Sequence, residues 1–355
     1  MVHGFAPGAG PGDPRPTRPR PVAGAVCLPR RRLLAKRGPR IGIALAYLQL
    51  AFLSVLWGFS FLLIKIASQA FDWIGYAFGR AAIAALALVG IALVRRVAWP
   101  RSAKVWGQMA GMSLIGQVGP FLLFGVAAHL ITSADMALMM GSAPIFTFVL
   151  ARMFGLGEVW NARAAAGLAL GLLGVALSLG SPFAGGGPAA HAGLGRTLAL
   201  IAALGYAGSA LLSRPISRAV GAAMAATGSM AVSAVLLAAA ELVASGMPSL
   251  TVLAAKPAGP IAALVALGLF NTGLAYFVYF RLIETAGATF AALNNYIVPC
   301  IGVIAGALAL GEPVRPAAWI GLACVLVSVA LTGSAAGAAR KIASPPIRAS
   351  NATDA

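Results

Sequence analysis

Acidic residues are scarce in this chain. Eight Asp and Glu stand against 26 Lys and Arg in 355 residues, and charged residues of both signs make up only 10%. Soluble domains carry about a quarter of their residues as charges to face water, so an ordinary water-exposed fold is excluded. Cysteine is nearly absent: Cys27, Cys300 and Cys324 share no paired spacing, which leaves neither a disulfide framework nor a thiolate metal site. The three histidines, His3, His129 and His191, are scattered outside any metal-spacing motif, and no P-loop is present. Paired carboxylates within the apolar segments are missing too, so nothing in the sequence supports proton coupling. No catalytic constellation emerges, and neither enzymatic activity nor a cofactor or metal is expected.

What fills the chain instead is apolar. Hydrophobic residues make up 60% and mean hydropathy is +0.90, more apolar surface than a soluble fold can hide, so the solvent is lipid. The net charge of +18 raises nucleic acid as a partner, but its distribution argues against one. Arg15, Arg18, Arg20, Arg30, Arg31, Arg32, Lys36, Arg37 and Arg40 crowd the N-terminal tail, and most of the rest fall between apolar segments. Basic residues in those places hold loops beside an anionic leaflet. Residues 1–40 are rich in Pro, Gly and Arg with no helical apolar pattern, which predicts a disordered tail. The first long apolar run lacks a small-residue cleavage site of the signal-peptide kind, and a start codon placed too far upstream would also account for the tail.

Windows of about 20 apolar residues predict ten membrane helices, near 43–68, 74–94, 106–128, 132–153, 162–180, 195–213, 222–245, 259–281, 286–309 and 316–334. With the N-terminus in the cytoplasm, the inside loops carry Arg95, Arg96, Arg101 and Lys104, then Arg152 and Arg163, then Arg214 and Arg218, then Arg281. The outside loops offer only Arg196, Lys256 and Arg315. This bias predicts both termini inside.

One motif is written twice, 154 residues apart. Glu158, Gly167-Leu168-Ala169 and Val175-Ala176-Leu177 recur as Glu312, Gly321-Leu322-Ala323 and Val329-Ala330-Leu331. Each Glu follows a Leu-Gly, and each is preceded by a proline, Pro144 or Pro299. The repetition predicts four regions: a tail over 1–42, a first unit over 43–180, a second over 195–335 and a tail over 336–355. Five spans per unit is an odd number, so the second copy is inverted in the membrane. Inverted repeats rocking about a central site are the geometric basis of alternating access.

These residues resemble the EamA-type members of the drug/metabolite transporter superfamily. Leu56-Trp57-Gly58-Phe59-Ser60-Phe61 ending in Lys65 is similar to that family's opening segment, Arg80 to its arginine in the second helix, and the doubled Pro-to-Leu-Gly-Glu pattern to its repeat endings. The resemblance spans about 43–335 and implies an all-α membrane fold of ten helices in two inverted repeats. It also implies a cavity lined mainly by helices 1, 3, 4, 6, 8 and 9, and movement of small metabolites, often outward. One departure stands out: helix 7 carries Glu241 and no counterpart of Arg80.

Charge inside a span is costly and needs a partner or a watery cavity. Arg80, too deep in helix 2 to be a loop residue, is either a bidentate clamp for an anionic substrate group or a structural anchor. Asp135 at the start of helix 4 is the expected counterion, or else a cap beside Thr132 and Ser133. Lys65 reads as a snorkelling anchor. Trp57 falls mid-helix, as either a cavity wall or core packing against neighbouring helices, whereas Trp73, Trp99, Trp106, Trp160 and Trp319 lie near helix ends as an interfacial belt. Gln117, Asn271, Tyr276, Asn294, Asn295 and Tyr296, with Tyr206 and Ser209 of lower grade, are polar groups near mid-membrane that either tie helices together or face substrate. Pro120, Pro144 and Pro299 break helical hydrogen bonding and so are gating or kink positions. Glu158 and Glu312, at helix junctions, read as structural caps. The expected partners are a small-molecule metabolite and the lipid bilayer, with no nucleic acid. A homodimer could form through helices 5 and 10, whose Gly167-xxx-Gly171 and Ala317-xxx-Gly321 present small residues; packing within one chain is the alternative.

The sequence therefore predicts a carrier in a bacterial plasma membrane that moves a small polar or amphipathic metabolite, as an efflux system by resemblance. A nucleotide-sugar or lipid-linked flippase on the same fold, or a membrane receptor or enzyme, are the rivals.

Overall fold

The structure is a computed structural model that describes residues 1, 4, 39–155, 162–179, 189–246, 255–286, 288–291, 294–312, 316–317, 319–328 and 331. Glu158 and most of both tails lie outside the described residues, as does the side chain of Tyr296. The chain divides into Met1–Ile43 and Ala44–Ala355. Of the first unit only Met1, Gly4 and the start of the first helix are described, and all other described residues belong to the second.

Every regular element among the described residues is helical. Hydrocarbon offers no hydrogen bonds to a backbone, so each segment must satisfy its own N–H and C=O groups internally. In chain order these are α1 (Pro39–Ala67), α2 (Trp73–Val94), α3 (Ala103–Ser113), α4 (Gly119–Leu130), α5 (Ser133–Met140), α6 (Ala143–Met153) and α7 (Ala162–Leu179). They continue as α8 (Ala189–Ala244), α9 (Ala258–Gly268), α10 (Ala275–Ala286), α11 (Ala288–Ala291) and α12 (Asn294–Leu310), and the last apolar helix is α13 (Trp319–Ser328). Among the described residues seven stretches are long and apolar enough to cross a membrane, and Ala165–Gly174, Ile297–Leu310 and Trp319–Ser328 are shorter apolar helices. Those three fall where windows 162–180, 286–309 and 316–334 were expected.

The breaks between elements have identifiable causes. Gly221 adopts φ 78° and ψ 158°, which interrupts α8 between the expected windows 195–213 and 222–245 and inside the long stretch Pro215–Ala244. A π-helical turn, Leu114–Val118, joins α3 to α4, and a second, Leu269–Leu274, joins α9 to α10. The two turns begin 155 residues apart, one more than the offset of the sequence motif. The proline positions divide. Pro144 does not kink a continuous helix: the chain stops at Gly141-Ser142, and Pro144 lies in the first turn of α6, where no N–H is needed. Pro299 sits inside α12.

Small residues set the closest helix contacts. A Cβ at Gly302 of α12 would stand 2.5 Å from the Ala137 Cβ of α5 and 3.1 Å from Phe61 Cδ2. The expected outcome for Gly302→Leu is a loss of about 1–3 kcal/mol from overpacking, read as a lower unfolding temperature in detergent. A Cβ at Gly174 of α7 would stand 2.7 Å from the Gly321 carbonyl oxygen, and Ser328 closes on Gly171 in the same way. These small faces of the fifth and tenth windows thus meet inside one chain. Leu172, Leu173, Trp319, Ile320 and Val327 are left exposed on the outer sides.

Candidate functional site

Arg80 is the buried charge around which the interior is arranged. One face of α2 buries Ile74, Tyr76, Ala77, Arg80, Ala81 and Ala84, and the small alanines beside the arginine let neighbouring helices come close. Arg80 is 3% exposed. Its Nε donates to Thr272 Oγ1 at 2.7 Å, its Nη1 donates to the Tyr76 hydroxyl at 3.0 Å, and its Cζ lies 4.0 Å from the centre of the Phe121 ring. Thr272 stands in the second π-helical turn and donates its own proton to Leu267 O, five residues back, at 2.8 Å. The π turn thereby presents a hydroxyl acceptor to the guanidinium, and such turns often mark functional positions.

The expected counterion is elsewhere. Asp135 accepts from Arg196 Nη2 at 3.2 Å, and its own backbone N–H donates to the Thr132 side chain at 3.0 Å. That is the only ion pair among the described residues. The other described carboxylates are also placed away from Arg80. Asp72 caps α2 by accepting from Gly75 N, Glu284 is exposed on α10, and Glu312 accepts from the start of α5. Glu241, 5% exposed, has an Oε2 with no hydrogen-bond partner among the described residues and stands near Gly75. No carboxylate among the described residues therefore neutralises Arg80.

Beside Arg80 lies a cavity of about 80 Å³. Of the sequence candidates, Trp57, Arg80, Tyr276, Asn294, Asn295 and Pro299 line it together, as does Tyr206. Trp57 packs against Tyr276 and Tyr279 with ring centres 5.8 and 5.1 Å apart. Phe124 bridges Phe61 at 5.6 Å and Tyr206 at 6.3 Å. The Ser54 hydroxyl donates to Asn294 Oδ1 at 2.7 Å, which fixes that amide from behind. Adjacent Asn294 and Asn295 both reach the cavity, although successive helical residues diverge by about 100°.

Four candidates take structural places instead. Gln117 is held between helices: its Nε2 donates to Ser229 Oγ at 3.2 Å and its Oε1 accepts from Ser233 Oγ at 2.5 Å. Asn271 donates to the Leu56 carbonyl on α1. Lys65, partly exposed, is held near the end of α4: its Nζ donates to Ala128 O at 2.6 Å and Ile131 O at 2.8 Å. A cation on the last carbonyls of α4 answers the negative end of that helix. Pro144 does not line the cavity, and its counterpart Pro299 packs with its Cγ beside Gly141.

The sequence reading missed the apolar liners Phe61, Ile64, Phe124, Met140 and Val298, together with the arginine's partners Tyr76, Phe121 and Thr272. Tyr76 was findable, since it lies one helical turn from Arg80 on the same face. Glu312 is a cap, as its place at a helix junction predicts. Its carboxylate accepts from Ser133 N at 3.0 Å, Ser133 Oγ at 2.7 Å and Ala134 N at 3.1 Å, which satisfies the first turn of α5.

Comparison with known proteins returns a consistent picture. Residues 44–180 and 193–334 each match the EamA-like transporter family. The uncharacterized inner membrane transporter YedA of Escherichia coli (strain K12) is 24% identical over 290 residues, covering 79% of this chain and 87% of its own. YedA of E. coli O157:H7 matches to the same extent. A crystal structure of a protein with 20% identity superposes at a TM-score of 0.57, over 85% of this chain and 99% of that one, a likeness of fold alone. The cavity draws on both matched stretches, with Trp57, Arg80 and Phe124 from the first and Tyr206, Tyr276 and Asn294 from the second.

Proposed function

Because this chain belongs to the EamA-like transporter family of membrane transporters, we propose that it is a secondary transporter carrying a small polar or amphipathic metabolite by alternating access through the Arg80 cavity. The observation that carries this reading is the cavity itself, walled by aromatic rings, two asparagines and one buried guanidinium drawn from both family-matched stretches. Efflux across a bacterial inner membrane is the direction the family resemblance favours. Support for ten spans as two inverted five-helix repeats comes from the three short helices in the remaining windows, the paired π turns and the double family match. The loop charges favour both termini in the cytoplasm. A homodimer would use the outer faces of α7 and α13, since their small faces are taken within the chain.

Cavity size speaks against the flippase reading. At about 80 Å³ the cavity is small beside a nucleotide-sugar or lipid-linked head group. No group of three or more His, Cys, Asp or Glu suited to a metal exists among the described residues.

The test is metabolite profiling of medium and cells that express the wild type or carry an empty vector. A small solute accumulating outside only with the wild type is the expected result. Depletion from the medium would reverse the direction. No change with correctly inserted protein would sink the carrier reading.

A further inference from the structure

The cavity holds one formal charge. Among its lining residues Arg80 is ionised, while Asn294, Asn295, Tyr206 and Tyr276 are neutral hydrogen-bonding groups. A guanidinium in a low-dielectric interior with no carboxylate beside it is costly unless an anion joins it. Its own contacts are one-sided. Thr272 takes Nε, Tyr76 takes Nη1 and Phe121 covers a face, and Nη2 makes no hydrogen bond among the described residues. One donor edge of a planar fork is left for a ligand oxygen, the geometry that suits a carboxylate.

The rest of the lining selects among anions. Trp57, Phe61, Phe124, Tyr206 and Tyr276 present ring surface, which a bare inorganic ion would leave unused and a flat apolar body would cover. No lining residue is a carboxylate, so an ammonium group on the ligand would enter without a counter-charge. That disfavours cations and zwitterions alike. We propose that the transport cavity selects a small, flat organic monocarboxylate, with its carboxylate on the Nη2 edge of Arg80 and its apolar body against Phe61, Phe124 and Trp57. This ligand class rests on reading the cavity as the transport site.

Binding of benzoate, benzamide, benzylamine and chloride to the purified full chain in lipid nanodiscs tests the proposal. Benzoate and benzamide share shape and differ in charge, so their ratio in the wild type needs no variant. Benzoate is expected to bind at least tenfold more tightly than benzamide, with benzylamine excluded and chloride unable to displace benzoate at equal concentration. Arg80→Gln is expected to cost benzoate tenfold or more and benzamide much less, so that the ratio between the two collapses. If that variant fails to fold, the wild-type ratio decides alone. Equal binding of benzoate and benzamide, no binding of benzoate, or displacement by equimolar chloride would each overturn the proposal. Flux into proteoliposomes separates the two readings. Benzoate bound but never moved would sink the transporter reading and leave the ligand class standing. A neutral solute moved through the same cavity, with benzoate excluded, would do the reverse.

Discussion

Replacing Arg80 with glutamine will abolish transport while the protein still inserts and folds. The arginine is only 3% exposed, with no carboxylate among the described residues to balance it. Losing one partner of a buried charge–ligand pair costs about 2–5 kcal/mol, a factor of roughly thirty to several thousand in affinity. Folding loses little by comparison. The substitution removes an uncompensated buried charge, and a glutamine amide retains a donor for Thr272 or Tyr76. Arg80→Lys is expected to fail almost as badly, because a point ammonium cannot hold both hydroxyls and keep a free in-plane edge. Flux measured beside surface quantity and unfolding temperature checks this. If the variant instead disappears from the membrane, Arg80 is a structural anchor, the other role that its depth in the membrane permits.

Glu312→Ala is expected to have the largest effect on stability. One carboxylate accepts three hydrogen bonds from Ser133 and Ala134, 179 and 178 residues away, and so closes the N-terminus of α5 from the far end of α12. A negative group there answers orphan N–H donors and the helix dipole together. Charge-assisted bonds of this kind contribute about 1.5–3 kcal/mol each when isolated. Because the three share one carboxylate, we expect a combined loss of about 2–4 kcal/mol. The unfolding temperature in detergent should fall by several degrees. Glu312→Gln, which keeps one acceptor oxygen, should recover part of the loss. An unchanged unfolding temperature for the alanine variant would mean that these bonds only replace water. Gly302 and Gly306 face Ala137 and Ser133 on the same pair of helices, so loss of the cap should also loosen their close packing.

Composition and periodicity were enough to establish a lipid-embedded chain whose described elements are all helical. Apolar windows about 20 residues long have few other solutions, and the seven long and three short apolar helices each overlap one of them. Arg80, Tyr276, Asn294 and Asn295 were legible as cavity residues because polar groups inside hydrocarbon are expensive and therefore conspicuous, and Trp57 because it falls mid-helix instead of at an interface. The same visibility misled for Gln117 and Asn271, whose amides bond to Ser229, Ser233 and Leu56 on other helices. Sequence alone marks an amide that needs a partner without saying which helix supplies it.

Partner choice was decided by tertiary structure throughout. Asp135 took Arg196 rather than Arg80, Lys65 took the carbonyls at the end of α4, and Arg80 was left with hydroxyls and a ring. Phe61, Phe124 and Met140 became cavity wall with nothing in their spacing to separate them from lipid-facing residues. The physical reason is that burial cost is a property of one residue and can be read locally. The identity of the group that offsets it depends on which helices meet, and that is settled by small-residue contacts such as Gly302 on Ala137 and Gly174 on Gly321.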